Sequence, residues 1–294
     1  MKKLWLKVLS CFMAVNFMFM CFAMPVSAGK INYGLNGEGD GLDVVLKELT
    51  IDEWRSLYDI CGVKIDVDPY NTPNSYFVEK FNKEIRSNYG NTLINIFRDT
   101  TYEPGYGKIL LGTAKKLEIR VPDKISIYDV EEIEQKIIFK MLEKLKNGIT
   151  DKKGDATWKK IEKDTFGNME KLFQEGKISA KEFESIKKYG IAGIVTGAGA
   201  VGLWGSLSGF AIYSLVNSVF WAVANTLGVA SFIGGVAVAG PMLATFTTVL
   251  ISPWFWGLTP FVAIAALGDT NWKKTVASVF FIAMMRQKLN AEKM

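Results

Sequence analysis

The sequence contains no histidine, and two of its three cysteines, Cys11 and Cys21, fall in the first 28 residues. Without histidine the chain lacks the commonest general base, the commonest metal ligand, and any Ser-His-Asp or Cys-His arrangement. With Cys61 as the single cysteine after residue 28, it can form neither an internal disulfide nor a thiolate zinc site within one chain. Cys61 continues the apolar pattern Trp54, Leu57, Tyr58, which reads as a small core residue rather than a reactive thiol. A third absence is local. From Tyr189 to Gly268 there is no Asp, Glu, Lys or Arg, and Lys188 is the last charge before this stretch. A soluble domain seldom runs that far uncharged, because part of its surface must face water. Thirteen of the 27 glycines lie in the same stretch. Long, uncharged and rich in small residues reads as membrane helices packed closely on one another.

What is present divides the chain into unequal parts. Lys2, Lys3 and Lys7 precede an apolar run from Val8 to Met24, and Pro25-Val-Ser-Ala28 offers a small-residue cleavage site. Residues 1–28 thus read as a secretory signal, with an uncleaved signal anchor as the competing reading. Residues 29–41, with five glycines, read as a flexible leader. Residues 42–188 read as a soluble helical domain, 189–268 as a glycine-rich transmembrane or hairpin region, and 269–294 as a basic amphipathic tail. The net charge of +5 is not a property of the body. Residues 29–188 carry 27 basic and 28 acidic side chains, so there is no basic excess of the kind nucleic acid would favour.

The helical reading of 42–188 rests on period and caps. Thr50 with Glu53 and Ser179 with Glu182 form capping boxes. Phe77, Phe81 and Ile85 recur at spacings of four within 75–87, and shorter helices are expected at 91–98 and 105–117. Ile127 to Lys146 carries a one-sided stripe from Val130 to Leu145, opened by a Ser126/Asp129 box and closed by Gly148. A helix from Thr157 to Phe173 ends near Gly176. The helix after Ser179 is expected to run directly into the uncharged region. Short strand candidates at 63–67 and 117–121 are the exceptions to an all-α fold.

The uncharged region divides at its own breakers. Spans are expected at 191–212, 215–233 and 242–267, the last interrupted by Pro253 and Pro260. Gly193, Gly197, Gly202, Gly205 and Gly209 are the candidate helix-packing positions. Trp254, Trp256, Trp272, Lys273 and Lys274 are the candidate membrane-interface residues. The tail's apolar centre, 275–285, is too short to span and is expected to lie in the interface or to pack on the body. With the signal cleaved, 29–188 lies outside the cytoplasm; three spans bring the tail inside, whereas two return it outside.

Sites for chemistry are sparse. Residues 197–202 match GxGxxG formally, but no strand precedes them and no P-loop lysine follows, so helix packing is the better reading. Counted from Asn36, the twelfth position of an EF-hand loop would be Lys47, and the motif fails. Asp66 and Asp68 read as a solvated turn rather than a cation site. Asp129, Glu131, Glu132, Glu134, Lys136 and Lys140 read as a solvated helix face with pairs such as Glu132–Lys136.

The stretches 106–117 (YGKILLGTAKKL), 131–138 (EEIEQKII), 158–164 (WKKIEKD) and 275–286 (TVASVFFIAMMR) resemble the YaaW-like family of uncharacterised bacterial proteins. The resemblance covers most of residues 46–290. It implies a small helical module near 46–61 and a glycine-rich apolar region followed by a helix. Some members carry a chaperone-like label through distant similarity to a ubiquinol–cytochrome c chaperone. The resemblance supplies no activity and no site residues, and the signal and the longer uncharged region depart from it.

The expectation is therefore a non-enzymatic, all-α protein of the bacterial envelope, without cofactor, metal or nucleic acid. Its partners would be a lipid bilayer and either a protein bound by the helical domain, as for an anchored adaptor or assembly factor, or further copies held through glycine-rich helices. The alternative is a secreted pore former, since a charged helical domain leading into an uncharged hairpin resembles the organisation of colicin-type proteins.

Overall fold

The computed structural model describes residues 42–61, 63–89, 105–121, 129–195, 206–227 and 272–292. Every regular element among them is an α-helix: α1 (Leu42–Lys47), α2 (Ile51–Cys61), α3 (Asn74–Tyr89), α4 (Tyr106–Lys116), α5 (Asp129–Lys153), α6 (Asp155–Gln174), α7 (Ala180–Val195), α8 (Gly209–Leu227) and α9 (Trp272–Glu292). The fold is all-α. The strand candidates at 63–67 and 117–121 are irregular backbone. The expected helix at 91–98, the Ser126 cap, and the signal and leader lie outside the described residues.

Local chemistry sets the helix ends. At α2, the Thr50 backbone N–H donates to Glu53 Oε2 at 2.8 Å and the Glu53 N–H donates back to Thr50 Oγ1 at 3.3 Å, closing the expected box. The α2–α3 corner is held by aromatic packing of Trp54 on Tyr58, Phe77 and Phe81. Trp54 Nε1 also donates to Asn74 Oδ1 at 2.5 Å, and Asn74 Nδ2 donates to the Lys47 carbonyl at 2.7 Å. α5 does not stop at Gly148. Ile149 continues the buried stripe one turn beyond Leu145, and the helix runs to Lys153. It breaks instead at Gly154, whose φ of +85° costs glycine nothing. α7 begins at the Ser179/Glu182 box but does not pass smoothly into the uncharged region: Gly190, at φ +63° and ψ 165°, kinks it.

Contacts give the helix directions. Glu134 meets Arg286 and Glu131 meets Asn290, so the start of α5 lies beside the end of α9. Phe220 packs on Phe280, with ring centroids 5.7 Å apart, and Gly209 lies against Gln287 and Asn290. α8 and α9 are therefore antiparallel. α6 runs antiparallel to α8, since Met169 Sδ lies 3.8 Å from Ser218 Oγ while Thr157 and Lys160 sit by Thr226 and Leu227.

Two expectations about the C-terminal half are overturned. The first expected span, 191–212, is not one helix: residues 206–208 form a turn, and α8 runs unbroken through the expected boundary at 212–215. The tail takes the second of its expected placements, packing on the body, but it is not amphipathic. All residues from Thr275 to Gln287 are buried, and α9 packs on α1, α2, α3, α4, α5 and α8. A helix apolar on every side finds its minimum in the middle of a bundle. A helix sharing one core with residues 42–153 also lies on the same side of any membrane as they do, so a three-span path separating tail from body does not fit this fold. The tail and the helical domain are one packed body.

Candidate functional site

The fully buried ion pair of the core lies where α4, α5 and α9 meet. Glu134 and Arg286 both have 0% side-chain exposure; Arg286 Nε donates to Glu134 Oε2 at 2.5 Å and one terminal nitrogen donates to Oε1 at 3.1 Å. The Tyr106 hydroxyl donates to the same Oε1 at 2.7 Å. Two carboxylate oxygens thus receive three donors, which a desolvated carboxylate requires if it is to stay charged. Each partner comes from a different one of the stretches 106–117, 131–138 and 275–286, which are brought together only by folding.

Around this pair lies a half-buried shell. Asn290 Nδ2 donates to Glu131 Oε1 at 3.0 Å, and Gln135 Nε2 faces both Glu131 and Gln287 at 3.5 Å. Burial, and then the charge of Glu134, push the Glu131 carboxyl above its usual range, with Arg286, Gln287 and Asn290 opposing. Further along, Lys288 Nζ donates to Glu53 Oε1 at 2.8 Å. The last turns of α9 are thus tied by charge to α2 and α5. Glu134 is buried, and both of its carboxylate oxygens accept hydrogen bonds. The arrangement fixes α9 in register.

Glu182 forms a second polar joint. Its Oε2 closes the α7 cap, while Oε1 accepts the Ser208 N–H at 2.8 Å, one residue before α8. Burial raises this carboxyl, but the bonds from Ser179 and Ser208 outweigh it and leave it below its usual range. Cys61 is buried, with Sγ 3.2 Å from Ser278 Oγ on α9; burial pushes its thiol up to about 12 despite that contact. It is inert by environment.

The opposite end of the bundle is different. There a groove of about 400 Å³ is lined by Lys153, Ala156, Thr157, Lys160, Thr226 and Leu227. The acidic candidates lie elsewhere and apart. Asp66 accepts from Lys80 at 2.5 Å, and Asp68 Oδ1 accepts the Tyr70 N–H at 3.0 Å, so both belong to a surface loop. Glu132 pairs with Lys136 at 2.5 Å, as the spacing predicts. Among the described residues no three His, Cys, Asp or Glu side chains are grouped to hold a metal.

Of the packing glycines, Gly209 is a point of close helix approach, because a β-carbon there would collide with the Gln287 carbonyl. Its partner is α9 rather than another expected span. At Gly193 the nearest atom is Tyr189 Cβ at 3.9 Å, which is ordinary contact. Gly197, Gly202, Gly205, Trp254 and Trp256 lie outside the described residues. Trp272 and Lys273 begin α9, and Lys274 is half-buried. Sequence reading missed Glu134 and Arg286 as a pair. Glu134 sits among charges that suit a solvated face, and only its position one residue after Ile133, beside the stripe, hints that it turns inward.

α8 is, among the described residues, the one helix long and apolar enough to cross a membrane, and 67% of its apolar window is buried by the protein itself. No family model, curated protein or solved structure matches the chain.

Proposed function

We propose that this is a non-enzymatic, membrane-associated protein of the bacterial envelope: a helical body held at the bilayer by residues 228–268, acting as an adaptor or assembly factor for a protein partner. The observation that carries this reading is the antiparallel pairing of α8 and α9. α8 ends at Leu227 and α9 begins at Trp272, at the same end of one bundle, and the uncharged stretch 228–268 lies between them in the sequence. A stretch anchored this way enters one leaflet or crosses an even number of times. Two full crossings of a core about 30 Å thick need about 20 residues each, nearly all of 228–268, so entry into one leaflet or one crossing and a shorter return fits this length. The residues already described make the body's water-facing side, since α5, α6 and α7 carry exposed Lys, Asp and Glu along their outer faces. Likeness to the YaaW-like family belongs to the same proposal.

The test is accessibility. A cysteine in place of Lys177 and a cysteine added after Met294 should react with an impermeant thiol reagent from the same side of the membrane. Reaction from opposite sides would overturn the proposal.

A second reading has its own support. An apolar antiparallel pair enclosed by charged helices is also what a membrane-inserting pore former would keep folded away until it met a bilayer. Dye release from loaded vesicles by detergent-free protein would favour that reading over the anchor.

A further inference from the structure

We propose that the lysine-lined end of the bundle is a docking surface for an anionic bilayer, meeting lipid phosphates through Lys153 and Lys160; this deepens, and rests on, the membrane-associated reading. Four exposed lysines, Lys152, Lys153, Lys159 and Lys160, crowd the corner where α5 gives way to α6, against Asp151 and Asp155. The groove between them is lined by two lysines and no carboxylate. Lys152 and Lys153 end α5, where a cation suits the helix dipole in any protein. Lys159 and Lys160 lie a turn inside α6 and gain nothing from it, so the dipole does not account for the cluster.

The position of the cluster selects the partner. Thr226 and Leu227 complete the groove, and the next residue opens the uncharged stretch. Thr226 Oγ1 has no hydrogen-bond partner. α9 begins at the same end, with Lys273 and Lys274 in its first turn. Lys153 and Lys160 thus stand beside the last residues of α8, next to the start of the uncharged stretch. A soluble acidic protein could meet such charges anywhere on the surface. A bilayer that takes up residues 228–268 would bring phosphates to this end of the body in particular. The opposite end is of mixed charge, with Asp129, Glu131 and Glu132 in the first turn of α5 beside the exposed Lys171, Lys177 and Lys181. This contrast would set the body upright on the membrane.

The full chain, with Cys11, Cys21 and Cys61 changed to Ser, is reconstituted into vesicles of phosphatidylcholine alone or with phosphatidylglycerol. A fluorophore is attached at Ala156→Cys or, at the other end of α6, at Gln174→Cys, and a headgroup-labelled lipid serves as quencher. The proposal expects strong quenching at 156 and little at 174, dependent on phosphatidylglycerol and reduced by salt. Lys153→Gln with Lys160→Gln should weaken the docking equilibrium about twenty-fivefold, since each surface lysine contributes about fivefold, while the protein still floats with the vesicles. If it floats but quenching at 156 is absent, or is unchanged by the two substitutions or by lipid charge, the docking surface is overturned and the anchor stands. Failure to float with either lipid overturns both.

Discussion

At the residue scale, the decisive group is Arg286. A guanidinium buried in the last third of α9 is tolerated because Glu134 accepts two of its hydrogen bonds, and Tyr106 in turn donates to Glu134. Removing one partner leaves a buried charge unpaired, and typically costs about 3–5 kcal/mol. Arg286→Met should therefore lower the midpoint of urea unfolding sharply, as should Glu134→Leu. The double replacement should recover most of that loss, because no charge is left buried. A double variant no more stable than either single one would show that the pair is not the cause. Glu182 adds a pH signature. Its folded pKa is lowered, so its contribution is fully present above the usual carboxylate range and is lost as pH falls through the folded value. Glu182→Gln should narrow the gap in thermal midpoint between neutral and acid conditions. An unchanged gap would remove the carboxylate from the joint. In the sequence the Ser179/Glu182 box was legible because its partners lie three residues apart. The Glu182–Ser208 bond was not, since 26 residues separate its ends.

At the scale of elements, α8 and α9 depend on each other. Gly209 is the point where the start of one helix touches the backbone of the other. Gly209→Leu should push them apart and cost about 1–3 kcal/mol, as overpacking does, whereas Gly193→Leu, facing no close neighbour, should cost far less. Thermal melts of the two variants would separate the cases. Equal losses would mean helix propensity alone is at work. Glycine spacing pointed to close packing somewhere in this region, but it could not name the partner, because α9 lies some eighty residues away along the chain. The extent of α5 was misread for a related reason. Gly148 looks like a terminator on its own, yet burial of Ile149 outweighs the roughly 1 kcal/mol that glycine costs inside a helix.

At the scale of the whole molecule, α9 is the part the other helices are built around. Deleting residues 272–294 should abolish cooperative unfolding rather than trim a tail, as circular dichroism would register. Persistence of a sharp transition would restore the tail to the surface. The placement of α9 also sets the topology, holding both ends of the uncharged stretch to one end of one body. The sequence by itself determined that the fold is all-α, where two capping boxes lie, that residues 189–268 are uncharged, and that no histidine chemistry is possible. These follow from period, capping and composition, which act between near neighbours. Only the tertiary structure decided that the last helix is core, that Tyr106, Glu134 and Arg286 meet, and that lysines collect where the uncharged stretch departs. Whether an apolar helix faces lipid or protein depends on which distant surfaces cover it, and that information is not carried by the helix itself.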